Sequence, residues 1–267
     1  MSEALQNQRT FALVGHGGCG KTSTAEMILF NAGVIDRLGK IEEGTTALDT
    51  EPEEIKRRGS IQSGFAGYKW DKNDHYLIDT PGDANFCGDL PYSLAASDGV
   101  VFTIDAVDGV KPLSRKAWAA VEKANLPTVI YINKMDRDRA DFDSAFDSLN
   151  SALGISPVLL HYPIGIKENF KGVVDMLSGK AMMFGEDGAV SEGDIPADIA
   201  DEVETIRETM IENIAESDED LMEKYFEEGE LSPEDITKGL KAGVAAGELV
   251  PVVLSAALNN QGGQMIL

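Results

Sequence analysis

The stretch Thr10-Phe11-Ala12-Leu13-Val14-Gly15-His16-Gly17-Gly18-Cys19-Gly20-Lys21-Thr22 constrains this chain more than any other. An apolar run ends in a glycine-rich turn, and the turn opens into the helix-forming segment Ser23 to Asn31. Gly15, four residues, then Gly20-Lys21-Thr22 is the spacing of a loop that wraps phosphate. Glycines let the backbone curl so that successive N–H groups point inward at an anion. The helix that follows adds its own unpaired N–H groups and its positive dipole end. The reading assigns Gly15, His16, Gly17, Gly18, Cys19, Gly20, Lys21, Thr22 and Ser23 to a phosphate cradle. Within it, Lys21 would reach the β- and γ-phosphates as a point charge, and Thr22 would offer its hydroxyl to Mg²⁺. The strand before and the helix after supply the context that a chance glycine-rich turn lacks.

Downstream, strand-like and helix-like stretches alternate. Ser60 to Trp70 and His75 to Ile78 read as strands around the turn Asp71 to Asp74, and Gly99 to Ile104 and Pro127 to Ile132 as buried strands. Pro112 to Ala124 and Asp141 to Leu153 read as helices, the first with proline at its entry. Residues 1 to 9 read as a loose terminus, and Asp36 to Gly59 as a long mobile loop. The expected class is α/β: a mostly parallel sheet with helices on both faces, its ligands held beyond the carboxyl ends of the strands. At Pro157 the character changes. Val158 to Tyr162 reads as a strand, Phe170 to Met176 with Lys180 to Phe184 as a hairpin, and Ile195 to Ala215, Asp218 to Glu228 and Pro233 to Ala246 as acidic amphipathic helices. Leu249 to Leu254 then returns to buried-strand character. Residues 157–248 are therefore expected to be an inserted α+β subdomain, within a main domain formed by 1–156 and 249–267, with further domains beyond the end of this fragment.

Charge narrows the partners. The net charge is −23 over 267 residues, and Pro157 to Val250 alone holds 23 acidic against 7 basic residues, a net of −16. Such a balance argues against direct sequence-specific nucleic-acid binding. A solvated face is the plain reading of the acidic helices, and a basic partner the sharper one. No apolar run approaches the ~20 residues of a membrane span, and the polar start carries no signal core, so a cytoplasmic chain is expected. Cys19 and Cys87 fit a reducing compartment; Cys19 reads as a small residue that fits the loop, with a redox brake as the remote alternative. His16, His75 and His161 show no metal-ligand spacing.

Two further motifs specify the nucleotide. In Asp79-Thr80-Pro81-Gly82, Asp79 would hold Mg²⁺, through water, and the Gly82 N–H would bond the γ-phosphate, which lets the following segment change conformation on hydrolysis. In Asn133-Lys134-Met135-Asp136, the Asp136 carboxylate would accept from guanine's N1–H and exocyclic amine. A site of this kind rejects adenine because its polar groups would go unpaired. Asn133 would brace the loop and the Lys134 stem would lie along the base. Ser255-Ala256, after the last strand, would present a backbone N–H to guanine O6. In this order the motifs describe a GTPase that binds GTP and GDP with Mg²⁺; a P-loop ATPase is opposed by Asn133 to Asp136.

The phosphate loop, Asp-Thr-Pro-Gly, Asn-Lys-Met-Asp and a subdomain inserted before Ser-Ala resemble the G domain of elongation factor G, a translational GTPase. Phe170-Lys171-Gly172-Val173-Val174-Asp175 resembles that family's inserted subdomain. The resemblance covers essentially the whole chain. It implies the ribosome as a partner, its stalk protein for the acidic helices, and a monomer that hydrolyses GTP to drive a conformational switch. Three positions depart from the family. Asp83 stands where the family has a histidine that positions the attacking water, which puts ribosome-triggered hydrolysis in question; the alternative is a GTP-gated ribosome-binding module with little turnover. The family's Mg²⁺-binding switch threonine aligns with Ser60 without gaps from Gly44, or with Ile61 when Arg58-Gly59 is aligned. The family's P-loop aspartate falls at Gly18.

Overall fold

The computed structural model describes residues 7–266. Strand β1 (Gln8–Val14) begins earlier than the apolar run, so the end of the segment read as a loose terminus already pairs. It lies parallel between β3 (Asn73–Asp79) and β4 (Gly99–Asp105). With β2 (Gly64–Trp70), β5 (Thr128–Asn133), β6 (Pro157–Leu159) and β11 (Val250–Leu254), the sheet runs β2-β3-β1-β4-β5-β11-β6. Only β2 is antiparallel, and its turn to β3 is tighter than Asp71 to Asp74, because Trp70 already pairs with Asn73.

Side chains along β1 alternate between two cores, as the pleat requires. Ala12 and Val14 join Leu94, Phe102, Trp118 and Val121 on one face, while Leu13 joins Ala25, Ile28 and Leu29 on the other. Helix α1 (Lys21–Asn31) covers the second face. Once α2 (Pro52–Arg57) has been passed, α3 (Leu90–Ala95), α4 (Pro112–Ala124) and α5 (Phe142–Leu153) pack on the first. Trp118 stands edge-on to Phe102, with ring centroids 5.2 Å apart. Side chains as buried as Leu13 and Phe102, each 0% exposed, contribute roughly 1.5–3 kcal/mol apiece. Because the central strands are covered on both faces, they read as continuous apolar runs.

The inserted subdomain has its own antiparallel sheet, β10-β9-β8-β7, from β7 (His161–Ile164), β8 (Gly172–Asp175), β9 (Lys180–Phe184) and β10 (Val190–Gly193). Three helices pack on it: α6 (Ala200–Glu216), α7 (Glu219–Glu228) and α8 (Pro233–Ala246), with Val174, Met210, Ile214, Leu221 and Leu240 in the shared core. Asp218 caps α7 by accepting from the N–H groups of Asp220 and Leu221, and Ser232 caps α8 by accepting from that of Asp235. The first of these helices starts at Ala200, five residues after Ile195.

The single strand expected at Val158 to Tyr162 is two strands in two sheets. Pro157 and Leu159 pair with Val250 and Val252 of the large sheet, whereas His161 pairs with Asp175 of the small one. Leu160 sits between: its N–H donates to Val252 O and its carbonyl accepts from Met176 N–H, both at 2.9 Å. The stretch Asp36 to Gly59 is also more ordered than a loop. It holds a 3₁₀ turn at Ile41–Glu43 and helix α2, whose first turn is closed by Glu51 N–H donating to Glu54 Oε2 at 3.2 Å. Two buried acidic side chains, Glu26 and Glu54 of α2 itself, take three of its backbone N–H groups (Gly39, Ala47 and Glu51) and those of Ile61 and Gln62 just beyond it. Beyond β11 the chain forms a 3₁₀ turn and the short α9 (Gly263–Ile266).

Candidate functional site: a nucleotide cavity at the carboxyl ends of the strands

Four loops meet above β1, β3, β5 and β11. The phosphate loop is the tightest. Gly18 and Gly20 hold φ of 85° and 99°, left-handed values that suit glycine, and Gly20 is the residue from which α1 starts. A side chain at Gly20 would run into the Asn133 amide, and one at Gly82 would run into Lys21 Nζ and the Gly17 nitrogen. The glycines are therefore what allow the loops of residues 15–20, 79–83 and 133–136 to close on one another. Lys21, 6% exposed, curls its Nζ back to the carbonyls of Gly15 and His16 at 3.0 and 3.1 Å. His16 is buried, its Nδ1 2.9 Å from Ser114 Oγ, and burial together with Lys111 and Lys21 lowers its pKa to about 4. Its ring is thus neutral at pH 7. The structure also brings His16, Asp105 and Asp108 within 4.8 Å of one another, which spacing did not suggest. Their carboxylates already carry cations, Lys134 at 2.6 Å on Asp105 and Lys111 at 2.5 Å on Asp108. The Cys19 thiol is fully buried, and burial pushes its pKa up, so it is a poor nucleophile and the redox alternative has no support.

Oxygens cluster where the sequence motifs place a Mg²⁺ site. Asp79, at the end of β3 and 1% exposed, accepts the Thr22 hydroxyl at 2.6 Å through Oδ2. Its Oδ1 has no hydrogen-bond partner among the described residues. Burial lifts the Asp79 pKa to about 7, against the opposing pull of Lys21 and Thr22. A buried carboxylate with an unpaired oxygen beside a hydroxyl is the hard donor set that Mg²⁺ takes, and a divalent cation there offsets the burial cost. Ser60 brings its Oγ to 3.3 Å from Thr22 Oγ1, whereas Ile61 has no donor side chain and its N–H goes to Glu54 Oε1 at 2.9 Å. Of the two alignments, Ser60 is the one whose side chain reaches this corner.

Asp49 was missed by sequence reasoning. It is buried, hydrogen-bonded to Ser60, and raised in pKa by burial; its Oδ2 is unpartnered among the described residues. A lone aspartate in a polar stretch gives no periodic signal. The same holds for Glu26, which accepts from Gly39 and Ala47 N–H at 3.1 and 2.6 Å, and Glu54, which accepts from Ile61 and Gln62 N–H.

At the base end, Asn133 braces the loops. Its Nδ2 donates to Cys19 O at 3.2 Å, and its Oδ1 accepts from the N–H groups of Lys134 and Ala257 at 2.8 and 3.0 Å. Lys134 extends over the phosphate loop to Gly18 O and Asp105. Asp136 accepts from Asn259 Nδ2 at 2.8 Å. Ser255 is fully buried under Tyr131, whose hydroxyl donates to Ser255 Oγ. The N–H of Ala256 does not face the cavity: it donates to Gln261 O at 3.1 Å, while Leu258 lines the cavity instead. Ser255 and Ala256 thus support the base end from behind.

These loops enclose a cavity of about 350 Å³. Its wall carries Lys21, Arg57, Arg58, Lys134 and Arg137 against Glu42 and Asp83, a cationic hollow in a chain of net charge −23. That inversion of sign selects a polyanion. Asp83 does not point a bare carboxylate into it: Oδ1 accepts from Asn85 N–H and Nδ2 at 2.8 and 2.9 Å, and Oδ2 accepts from Arg57 at 3.3 Å.

A family model described as the elongation factor Tu GTP binding domain matches residues 6–267. A solved structure from Thermus thermophilus is 32% identical and superposes with a TM-score of 0.91, covering 97% of this chain. This chain spans 39% of the length of that one. Among the described residues no helix is long and apolar enough to cross a membrane. With the whole of its cationic cavity and phosphate loop inside the matched residues, the chain belongs to the elongation factor Tu GTP-binding domain family.

Proposed function

We propose that this chain is the GTP-hydrolysing domain of a ribosome-associated protein of the elongation factor G type, with 157–248 as its inserted, stalk-facing acidic subdomain. The observation that carries the reading is the cavity itself: a cationic hollow lined by Lys21, Thr22, Ser60, Gly82 and Lys134, with Asp79 bonded to Thr22 at its edge. Lys21 would leave the Gly15 and His16 carbonyls for the β- and γ-phosphates, and the Gly82 N–H would bond the γ-phosphate. Asp136 would select guanine, Asn133 would hold the turn and the Lys134 stem would lie along the base. Thr22, Ser60 and Asp79 would hold Mg²⁺, which neutralises charge on the β- and γ-phosphate oxygens. Water attack on the γ-phosphate would release the segment after Gly82 and switch the protein's conformation. A monomer acting in the cytoplasm, with no sequence-specific nucleic-acid contact from this domain, completes the reading.

Single-turnover GTP hydrolysis in Mg²⁺, with and without ribosomes, tests it. The expected result is GTP bound in preference to ATP, and turnover strongly stimulated by ribosomes. Tight GTP binding without stimulation would leave the GTP-gated binder, the reading that follows from a carboxylate, Asp83, in place of the family's histidine. Tighter ATP than GTP binding would overturn both.

A further inference from the structure

Arg57 closes α2, and its side chain is held from two sides. Its Nη2 donates to Asp83 Oδ2 at 3.3 Å, and its guanidinium carbon lies 4.8 Å from the centroid of the Phe86 ring. Arg57, Lys21, Gly82 and Asp83 line the same cavity. A carboxylate next to the γ-phosphate contact would by itself repel the substrate. Here the two Asn85 donors and Arg57 occupy it, so both Asp83 oxygens are engaged and the carboxylate has a cation to aim. One edge of the planar guanidinium serves Asp83, and the remaining N–H groups of its fork are free to serve phosphoryl oxygens.

We propose that Arg57 is the transition-state arginine of this site, supplied in cis, and that Asp83 is its positioning residue and not a base. The proposal rests on the reading of the chain as a GTP hydrolase. In the step concerned, the water oxygen bonds to the γ-phosphorus as the bond from that phosphorus to the β–γ bridging oxygen breaks. The electron pair of the broken bond stays with GDP, and the water's proton ends on the released phosphate. Charge grows on the transferring oxygens as this happens, and a fixed guanidinium stabilises it without reorganising. The pair also explains how a chain with Asp83 in place of an imidazole retains a donor at this end of the cavity.

The test measures single-turnover GTP hydrolysis with saturating ribosomes, for wild type, Arg57→Ala, Arg57→Lys, Asp83→Ala and the Arg57→Ala, Asp83→Ala double variant. GDP affinity and melting temperature serve as fold controls. Arg57→Ala is expected to lower the hydrolysis rate about 10³-fold, the lower end for such an arginine, with KM for GTP within a few-fold of wild type. Lysine should not rescue it, because it lacks the fork, whereas added guanidinium ion should restore part of the rate. Asp83→Ala should slow hydrolysis ~10-fold through misplacement, and the double variant should be no slower than Arg57→Ala alone. Wild-type hydrolysis with Arg57→Ala equally fast, or additive losses in the double variant, would overturn the proposal and leave the GTPase reading standing. A wild type that hydrolyses nothing would overturn the GTPase reading instead. In that case, binding of GDP with aluminium fluoride still decides on Arg57: tighter than GDP alone in wild type but not in Arg57→Ala supports it, and no difference sinks it.

Discussion

At the residue scale, Asp79 carries a large burial cost as a charged group. Its folded pKa of about 7 stands above the ordinary 3.8, so the cation-free fold holds a proton that the unfolded chain releases. The sign follows from linkage: stability is intact below about pH 4 and is lost as pH rises through about 7. Asp79→Asn should therefore raise the melting temperature of the cation-free chain at pH 8 by several degrees, since 1 kcal/mol moves it by roughly 2–4 °C at this size. The gain should vanish near pH 4, and the Mg²⁺ dependence of nucleotide affinity should disappear; melting curves at the two pH values and GDP titrations with and without Mg²⁺ check both. An unchanged melting temperature at pH 8 would mean that Asp79 is not the buried charge described. Residues of this kind were partly legible. Lys21, Thr22 and Asp79 sit in motifs whose spacing betrays them, whereas Asp49 meets Ser60 and Arg57 meets Asp83 only once the chain has folded.

Among elements, the segment from Asp36 to Gly59 departs most from what its sequence suggests. Polar and without period, it reads as a loop, but Glu26 accepts from its Gly39 and Ala47 N–H groups and Glu54 from its Glu51 N–H. Glu54→Ala leaves the N–H groups of Ile61, Gln62 and Glu51 without that acceptor. Each buried orphan costs about 1–3 kcal/mol, and water can relieve that cost if the segment opens locally. The expected outcome is faster hydrogen exchange at Ile61 and Gln62, weaker Mg²⁺ binding through displaced Ser60, and a nearly unchanged melting temperature; unchanged exchange at those amides would show that Glu54 does not hold the segment. The strands were legible where both faces are buried, as in β4 and β5. Val158 to Tyr162 was not, because an apolar run carries no mark of the point, Leu160, where the chain leaves one sheet for another.

Over the whole molecule, charge is divided unequally: the cavity is lined mainly by cations, while α6 to α8 of the inserted subdomain are heavily acidic. Self-repulsion in such a chain is screened within a Debye length of about 8–10 Å at physiological salt. Raising NaCl from about 0.01 to 0.15 M, across which the Debye length shrinks from about 30 to 8 Å, should raise the melting temperature. Replacing Glu219, Glu223 and Glu227 of α7 by Gln should weaken that dependence; a melting temperature that falls with salt in wild type would mean that the acidic helices are internally compensated. The same asymmetry also has a geometric side. Strands β6 and β11 are parallel neighbours, and parallel neighbours cannot be joined by a tight turn but need a crossover of a dozen or more residues. Everything from Leu160 to Leu249 therefore stands where an ordinary crossover would. An engineer wishing to trim the acidic region could not splice Leu159 to Val250. A connector of about a dozen residues or more would have to replace it, and the graft would need new donors and acceptors for the backbone groups that Leu160 now shares between two sheets.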